Sequence, residues 1–302
     1  MTEDSKPFSS LPGVEQVITR GLSSVRVRTP HASGLVFLQG GHVAEWAPVG
    51  QSPVIWMSER AEYKPGKALR GGIPICFPWF GAHAERPDFP AHGFARTREF
   101  SYQGALLDDG GRVVLSFLLE SDAATRALFP HAFEARLRVA FGQTLSLEFS
   151  VTNKGASPFG FEEALHSYFH VVDVRSAAIV GLAGSVYRDK VQGMAELTES
   201  APVLQLTGET DRVYSSSAPC TIVDAQAGRA LRVDKSNSQT TVVWNPWAKR
   251  AAQMADFGAD AWPGMLCVES ANVAGARVTL APGETHRLGV TVAVSHIAPG
   301  AG

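Results

Sequence analysis

The stretch EEALHSYFHVV, residues 162–172, places two carboxylates and two histidines among residues typical of a buried strand. Imidazoles and carboxylates are the side chains that most often transfer protons in enzymes, so the stretch is a candidate for acid–base chemistry. In an extended chain Glu162, His166, Tyr168 and His170 share one mainly polar face. That face is either solvated, or holds a hydrogen-bonded core histidine, or lines a site. The third alternative requires partners from elsewhere in the chain.

A further carboxylate, Glu269, follows the apolar run Met265–Val268 in the stretch WPGMLCVESANV. A carboxylate at such a position either caps the strand at the surface or lies in a partly apolar cleft. In a cleft, desolvation and neighbouring charges would tune its pKa. A carboxylate tuned in this way can act as a general base, so Glu269 is a candidate partner for the histidine stretch.

Three other stretches offer hydrogen-bond donors and acceptors. In ALRGGIPICFPWFG, Arg70 precedes two glycines, which permit backbone geometries and close approaches that other residues do not. In AHGFARTREF, His92 and Arg96 flank what reads as a turn entering a strand. In ETDRVY, Asp211 and Arg212 form either a surface ion pair in a turn or an acceptor and a donor for a polyhydroxylated ligand. Each stretch alone is also compatible with loop packing or a solvated surface.

The elements that must position these residues are strands. Short apolar or alternating runs recur between clusters of Gly, Pro, Asn and Asp, and TLSLEFSVTN alternates apolar and polar residues as a half-buried antiparallel strand does. Helical signal is weak: SDAATRALFPHAF predicts one short turn that Ser121 would cap and Pro130 would end. The sequence therefore predicts an all-β protein, a large antiparallel β-sandwich in one domain over residues 1–302, with flexible termini at about 1–12 and 297–302.

Composition narrows the class of partner. Of 302 residues 45% are hydrophobic, which suffices for a sizeable core, and a formal net charge of −2 gives no general attraction to nucleic acid. The three cysteines, Cys76, Cys220 and Cys267, are widely spaced and suggest neither a disulfide framework nor a zinc site. No signal peptide or 18-residue apolar span is present. We therefore expect a cytoplasmic protein that binds neither nucleic acid nor membrane.

Taken together, these stretches resemble the aldose 1-epimerase, or galactose mutarotase-like, superfamily, and most closely its glucose-6-phosphate 1-epimerase (hexose-6-phosphate mutarotase) branch. The similarity runs from GLVFLQGGHVAEWAP near residue 34 to HRLGVTVAV near residue 294. It passes in the family's order through LRGGIPICFPWFG, HGFARTREF, ALHSYFHV, GLAGSVYRDK, ETDRVY, VVWNPW and CVESANV. The resemblance implies a β-supersandwich with an open cleft, a cytosolic location and no cofactor.

The resemblance also assigns roles to residues. It makes His166 the general acid and Glu269 the general base. It places four further residues in substrate-binding positions: Arg70, His92, Arg96 and Asp211. Many relatives carry an amide side chain immediately before the HG pair, where this chain has Ala91.

The activity implied by the resemblance is interconversion of the α and β anomers of an aldohexose 6-phosphate, with glucose 6-phosphate as the leading candidate, by acid–base ring opening and reclosure. The partner is then a small sugar phosphate, while the oligomeric state stays open, a monomer included. Two alternatives remain: a mutarotase of unphosphorylated aldoses, and a carbohydrate-binding β-sandwich without catalytic activity. The presence of both His166 and Glu269 argues against the second, because binding alone needs no acid–base pair.

A phosphate group favours planar, bidentate arginine donors, so Arg70 and Arg96 are its first candidate ligands. Four other cations lie in or near family-like motifs, and the sequence does not decide which of them faces a cleft: Lys190, Arg212, Lys249 and Arg250.

The proposed chemistry predicts the charge states of His166 and Glu269, and it predicts that no metal is essential. At neutral pH we expect Glu269 to be ionised and His166 to be able to donate a proton. We expect no essential metal, because anomerisation needs only proton transfers. His166 and His170 are also unsuited to one ion, since Cα atoms four residues apart on a strand are about 13 Å apart.

Overall fold

The computed structural model describes residues 11–297, so the termini expected to be flexible, about 1–12 and 297–302, fall almost entirely outside the described residues. The chain is built from antiparallel strands, as predicted, with little helix. The strands are β1 (Val14–Thr19), β2 (Leu22–Arg28), β3 (Ala32–Phe37), β4 (His42–Pro48), β5 (Ile75–Cys76), β6 (Ser101–Leu107), β7 (Val113–Glu120), β8 (Phe133–Phe141), β9 (Thr144–Asn153), β10 (Phe159–Phe161), β11 (Glu163–Leu165), β12 (Tyr168–His170), β13 (Ala178–Val180), β14 (Val186–Asp189), β15 (Ala195–Thr198), β16 (Val203–Gln205), β17 (Thr210–Tyr214), β18 (Cys220–Asp224), β19 (Arg229–Ser236), β20 (Thr240–Asn245), β21 (Met265–Asn272), β22 (Val278–Leu280) and β23 (Thr285–His296).

Helix is confined to short segments. They are α1 (Ala123–Leu128), α2 (Trp247–Ala251) and the 3₁₀ turns Ala95–Thr97, Trp262–Gly264 and Ala274–Ala276. The predicted short helix is α1, and it ends before Pro130 as expected. Its cap is Asp122, however, and not Ser121: the Asp122 carboxylate accepts the Thr125 N–H at 2.7 Å. Ser121 Oγ instead accepts the N–H of Phe133, which ties the helix to β8.

Two large sheets form the sandwich. One has nine strands in the order β16-β13-β18-β19-β23-β9-β8-β7-β6, and the other runs β15-β14-β17-β20-β21-β11-β5 with β12 also paired to β21. A smaller sheet, β1-β2-β3-β4, and the pair β10-β22 complete the structure. Because all of these pairings are antiparallel, neighbouring strands bring residues from distant parts of the sequence into register.

The core lies between the sheets and follows the strand periodicity. In β9, Leu145, Leu147, Phe149 and Val151 are buried, and they alternate with more exposed polar residues, as the sequence predicted. The same continuous cluster takes in Val268 of β21 from the second large sheet. No helix of the described residues is long and apolar enough to span a membrane.

Candidate active site

One cleft of about 470 Å³ opens on the β17-β20-β21-β11 face of the second sheet. It is lined by all six residues that the sequence analysis singled out: Arg70, His92, Arg96, His166, Asp211 and Glu269. Five further lining residues carry groups able to contact a polar ligand: Tyr168, Lys190, Glu209, Trp244 and Arg250. The stretches that resemble one family therefore converge on a single concave surface.

The register of β21 brings His166 and Glu269 together. The short strands β11 and β12 are separated by two residues but pair with β21 in one unchanged register, in which Tyr168 lies opposite Cys267. That register places His166 opposite Glu269, and His166 Nε2 lies 3.3 Å from Glu269 Oε1. The His166 backbone N–H donates to the carbonyl oxygen of Pro74 at 3.0 Å, so the histidine is held from both sides.

The pair is buried at the floor of the cleft. His166 is 7% exposed and Glu269 1%. Glu269 has Val242 beside it on β20, and Val213 follows on β17. Within residues 11–297 neither oxygen of Glu269 nor His166 Nδ1 has a hydrogen-bond partner, so the 3.3 Å contact lacks hydrogen-bond geometry. The pair is thus a buried histidine–glutamate couple whose polar atoms are available to a ligand.

Burial sets the charge preference of the pair. Desolvation raises the pKa of Glu269 well above its usual range, although Lys190 opposes the shift. Desolvation, with repulsion from Arg96 and Arg70, lowers the pKa of His166 well below its usual range. The ligand-free site therefore favours a protonated Glu269 and a neutral His166. This differs from the expectation of an ionised Glu269, because the sequence does not reveal how completely the cleft floor is buried.

Tyr168 is a site residue that the sequence analysis did not assign. Its ring stacks on that of His166 with centroids 4.8 Å apart and planes 13° from parallel. Trp56 stacks behind it at 5.8 Å. The Tyr168 hydroxyl accepts a hydrogen bond from Arg70 Nη1 at 3.2 Å. Tyr168 therefore connects the His166 imidazole to the cleft cation Arg70. The shared polar face of the histidine stretch was the available signal.

Arg70 is fixed in place by its backbone and by an acid. The Arg70 carbonyl accepts the Ser58 N–H at 3.1 Å, and Arg70 Nη2 pairs with Asp256 Oδ2 at 3.2 Å. Close packing requires the following glycines: a Cβ on Gly72, which has a φ of +68°, would lie 2.1 Å from His42 Nε2. The expectation of a close approach beside Arg70 is confirmed.

His92 occupies an unusual backbone conformation. Its φ is +64°, and a Cβ on the following Gly93 would lie 2.0 Å from the Phe77 carbonyl oxygen. The Gly81 N–H donates to His92 Nδ1 at 3.3 Å. Burial, with repulsion from Arg96, lowers the pKa of His92 well below its usual range, so the ring is neutral. Because Nδ1 accepts, the ring proton is on Nε2, and His92 can serve as a neutral donor.

Arg96 is a cleft cation that forms no ion pair with the described residues. Its Nη2 donates to the Ala91 carbonyl at 2.6 Å, and its Nε is buried without a hydrogen-bond partner in the described range. Burial lowers the pKa of Arg96. Ala91 also lines the cleft, so the position where many relatives have an amide offers a backbone oxygen to Arg96 but no side-chain polar group.

Asp211 and Arg212 point to opposite sides of β17. Asp211 faces the cleft and pairs with Lys190 Nζ at 3.1 Å, and Lys190 also lies 4.5 Å from the centre of the Phe80 ring. Desolvation raises the pKa of Asp211, against the attraction of Lys190. Arg212 pairs with Asp189 at 3.2 Å outside the cleft. The two neighbours therefore form neither an ion pair with each other nor a joint ligand site.

The remaining charged residues from the sequence analysis differ in whether they line the cleft. Arg250 lines the cleft, whereas Lys249 does not. Glu163 is buried and accepts from Asn272 Nδ2 at 2.9 Å, and it lies 2.9 Å from His286 Nε2.

Two polar members of the opening stretch also lie outside the cleft lining. Glu162 accepts the backbone N–H groups of Phe80 and Ala274, so it ties two loops together. His170 is exposed. Of the two carboxylates and two histidines in the stretch, His166 alone contributes its side chain to the cleft.

One group of side chains has the composition of a metal site. Atoms of His166, Cys267 and Glu269 lie within 4.8 Å of one another. The spacing of the cysteines in the sequence did not indicate this group, because only the strand register brings the thiol to the histidine. Whether the reaction requires a metal stays a prediction, which chelation tests.

Comparison with known proteins gives a consistent result. The family model described as aldose 1-epimerase matches residues 23–293. The chain is 35% identical over 269 residues to a Salmonella typhimurium protein provisionally named glucose-6-phosphate 1-epimerase, covering 86% of this chain and 89% of that protein. A Cenchrus ciliaris protein of the same provisional name is 34% identical over 294 residues, covering 93% and 86%. The crystal structure of a provisionally named mutarotase from Salmonella typhimurium superposes with a TM-score of 0.88 at 32% identity, covering 96% of this chain and 97% of that one.

Proposed function

We propose a function on the premise that the chain belongs to the aldose 1-epimerase family and is an isomerase of that type. The proposed reaction is the interconversion of the α and β anomers of an aldohexose 6-phosphate, with glucose 6-phosphate as the leading candidate. The observation that carries the proposal is the buried His166–Glu269 couple, 3.3 Å apart, at the floor of a polar, cation-rich cleft. The provisional names of the relatives support the phosphorylated substrate.

The proposed reaction uses the couple as base and acid on one bond. Glu269 removes the proton from the anomeric hydroxyl while His166 protonates the ring oxygen, so that the C1–O5 bond breaks and an open-chain aldehyde forms. Rotation about C1–C2 presents the other face of the carbonyl. Reclosure reverses the two roles, which returns both protein groups to their starting state. Each positioned group contributes about 10²–10⁴-fold to such a reaction.

The couple must carry one proton in the right place. In the ligand-free site burial favours this proton on Glu269. A side-chain rotation that gives the 3.3 Å contact hydrogen-bond geometry would allow this proton to pass to His166, which yields a carboxylate base and an imidazolium acid without exchange with solvent. A dianionic phosphate bound nearer to His166 than to Glu269 would attract the imidazolium more than it repels the carboxylate, and so would favour the transferred state. Substrate binding would in this way charge the couple.

Sugar and phosphate are proposed to bind through different groups. Asp211 and the Nε2–H of His92 offer an acceptor and a neutral donor to hydroxyl groups. Arg70 and Arg96, the predicted phosphate ligands, both line the cleft, and Arg250 joins them as a third candidate from α2. Arg96 is the strongest candidate because its Nε has no protein partner among residues 11–297.

The test is NMR exchange spectroscopy between the α and β H1 signals. Rates are compared on glucose 6-phosphate, glucose and galactose at equal concentration, with the non-enzymatic rate subtracted. We expect clear acceleration for the sugar phosphate and a smaller effect on the free sugars. A preference for glucose or galactose would identify a mutarotase of unphosphorylated aldoses instead. Tight binding without any acceleration would identify a carbohydrate-binding module.

A further inference from the structure

Cys267 brings a thiol to the catalytic couple. Cys267 and Glu269 are two residues apart on β21, so they project to the same face of the sheet, and His166 stands opposite Glu269. The thiol sulfur, a carboxylate oxygen and an imidazole nitrogen lie within 4.8 Å of one another. Both Glu269 oxygens and His166 Nδ1 are buried and lack hydrogen-bond partners in the part of the chain that the structure describes. Three ligating groups thus converge with unused acceptor atoms.

We propose that His166, Cys267 and Glu269 form a binding site for a thiophilic divalent cation, best matched by Zn²⁺, which inhibits the enzyme reversibly by occupying its acid and base. Nitrogen, sulfur and carboxylate oxygen are the ligands that zinc takes in proteins. Three protein ligands with one open position is the arrangement of zinc sites that admit an outside ligand. His166 and Glu269 both line the cleft, so a water molecule from the cleft would supply the fourth ligand of a bound ion.

The geometry is close to what such an ion needs. Zinc–ligand bonds of about 2.0–2.3 Å set neighbouring tetrahedral ligand atoms about 3.5 Å apart. His166 Nε2 and Glu269 Oε1 are already 3.3 Å apart. The widest separation in the group is at most 4.8 Å, so side-chain rotation must close a gap of about 1 Å. No hydrogen bond within the described range would have to break for the Glu269 carboxylate to turn towards the ion.

The charges around the site allow the cation to bind but limit its affinity, so we expect a reversible inhibitor and not a permanently bound cofactor. A Zn²⁺ ion with one thiolate and one carboxylate is neutral overall, which lowers the cost of placing it in a buried site. The thiol proton, with any proton on the carboxyl, leaves to solvent on binding. The surrounding cations Arg70, Arg96 and Lys190 oppose a dication and limit its affinity. The metal-bound state also removes both groups that the isomerisation needs.

The experiment uses the full-length protein and two metals as probes. Co²⁺ is added first, because thiolate ligation to Co²⁺ gives an intense near-ultraviolet charge-transfer band. We expect a band that saturates at one Co²⁺ per chain in the wild type and in Cys220→Ser, and no band in Cys267→Ser. Cys220 is the matched control because it is also a buried free thiol but lies on β18, outside the group. This optical measurement does not depend on which sugar is the substrate.

Zn²⁺ inhibition of anomer exchange is the second measurement, with each variant normalised to its own metal-free rate. Inhibition of the wild type should be reversed by EDTA and weakened by excess sugar substrate. Loss of an outer-sphere partner already lowers metal affinity about 10–100-fold, so loss of the Cys267 ligand should raise the inhibitory Zn²⁺ concentration at least tenfold.

A Co²⁺ thiolate band in Cys267→Ser, or equal Zn²⁺ sensitivity of Cys267→Ser and the wild type, would overturn the proposal. Cys267→Ala removes the same ligand without adding a hydroxyl and replaces the serine variant if that one does not fold. A wild-type protein that gives no band at saturating Co²⁺ would also refute the site. None of these results bears on the identity of the sugar.

Discussion

Replacing Glu269 with glutamine should lower kcat at least about 10²-fold, and the stability of this variant relative to the wild type should increase as pH rises above the acidic range. The carboxyl is 1% exposed, it has no hydrogen-bond partner among the described residues, and its pKa is raised by burial. The folded wild type therefore retains a proton that the unfolded chain, with an ordinary glutamate pKa of about 4.3, releases. Stability arising from this group falls as pH rises above that value, by up to about 1.4 kcal/mol per pH unit. The glutamine variant lacks this dependence.

The assay is urea unfolding at pH 5, 6, 7 and 8 at constant ionic strength. The free energy of unfolding of Glu269→Gln minus that of the wild type should increase with pH in this range. Glu134→Gln is the matched control: Arg136 holds the pKa of Glu134 below its usual value, so its contribution is complete above about pH 5 and the difference should stay flat. In the exchange assay Glu269→Gln should lose at least about 10²-fold in kcat.

A flat difference for Glu269→Gln would refute the reasoning. It would mean that Glu269 is ionised in the folded, ligand-free protein, as the sequence alone suggested, and that the neighbouring cations outweigh burial. The use of the slope with pH, and not the absolute free energy, removes the constant cost of burying an unpaired glutamine amide. The titration of His166 is common to both proteins and largely cancels in the difference.

Four further predictions address the same cleft. His166→Asn should lose about 10²-fold or more in kcat, and its combination with Glu269→Gln should lose little beyond either single change, because both groups act on one bond-breaking event. Independent, additive losses in that cycle would contradict a shared role. Arg96→Lys should impair turnover of the sugar phosphate more than that of the free sugar, since an ammonium does not reproduce a guanidinium fork; equal losses would mean that Arg96 contacts the sugar ring or only holds the loop. Tyr168→Phe should raise KM with little effect on kcat because it removes the hydroxyl held by Arg70, whereas Tyr168→Leu should lower kcat about two- to tenfold because it removes the stack on His166; identical kinetics of the two variants would argue against separate roles. Exhaustive chelation should leave full activity, and activity that disappears with chelator and returns with a divalent ion would show an essential metal.

Much of the fold follows from local pattern. The alternation in β9 predicted which side chains are buried, because a strand with one face in the core must place apolar residues at every second position. The helix cap was wrong by one residue: Ser121 and Asp122 are both good capping residues, and only the tertiary contact of Ser121 with β8 decides between them.

The site was predictable as a set of motifs but not as a geometry. Family resemblance selected residues that line one cleft, yet it did not indicate that Tyr168 stacks on His166 or that Arg212 faces away from Asp211. Both depend on strand register and side-chain direction, which are set by long-range pairing. The burial that raises the pKa of Glu269 was not visible in the sequence for the same reason, because burial is a property of the whole fold.

The cleft combines a couple positioned by paired strands with cations positioned by connecting segments, and this arrangement affects how such enzymes diversify. Glu269 of β21 and His166, between β11 and β12, lie opposite each other in one antiparallel register, and a shift of one residue in β21 would turn Glu269 towards the opposite face of the sheet. Several of the ligand-facing cations, such as Arg70, Arg96 and Arg250, lie outside the strands, in connecting segments or short helices. Mutational drift in those segments can therefore alter which sugars are accepted while the ring-opening chemistry is inherited unchanged. Insertions should be tolerated in the segments and selected against in the paired strands.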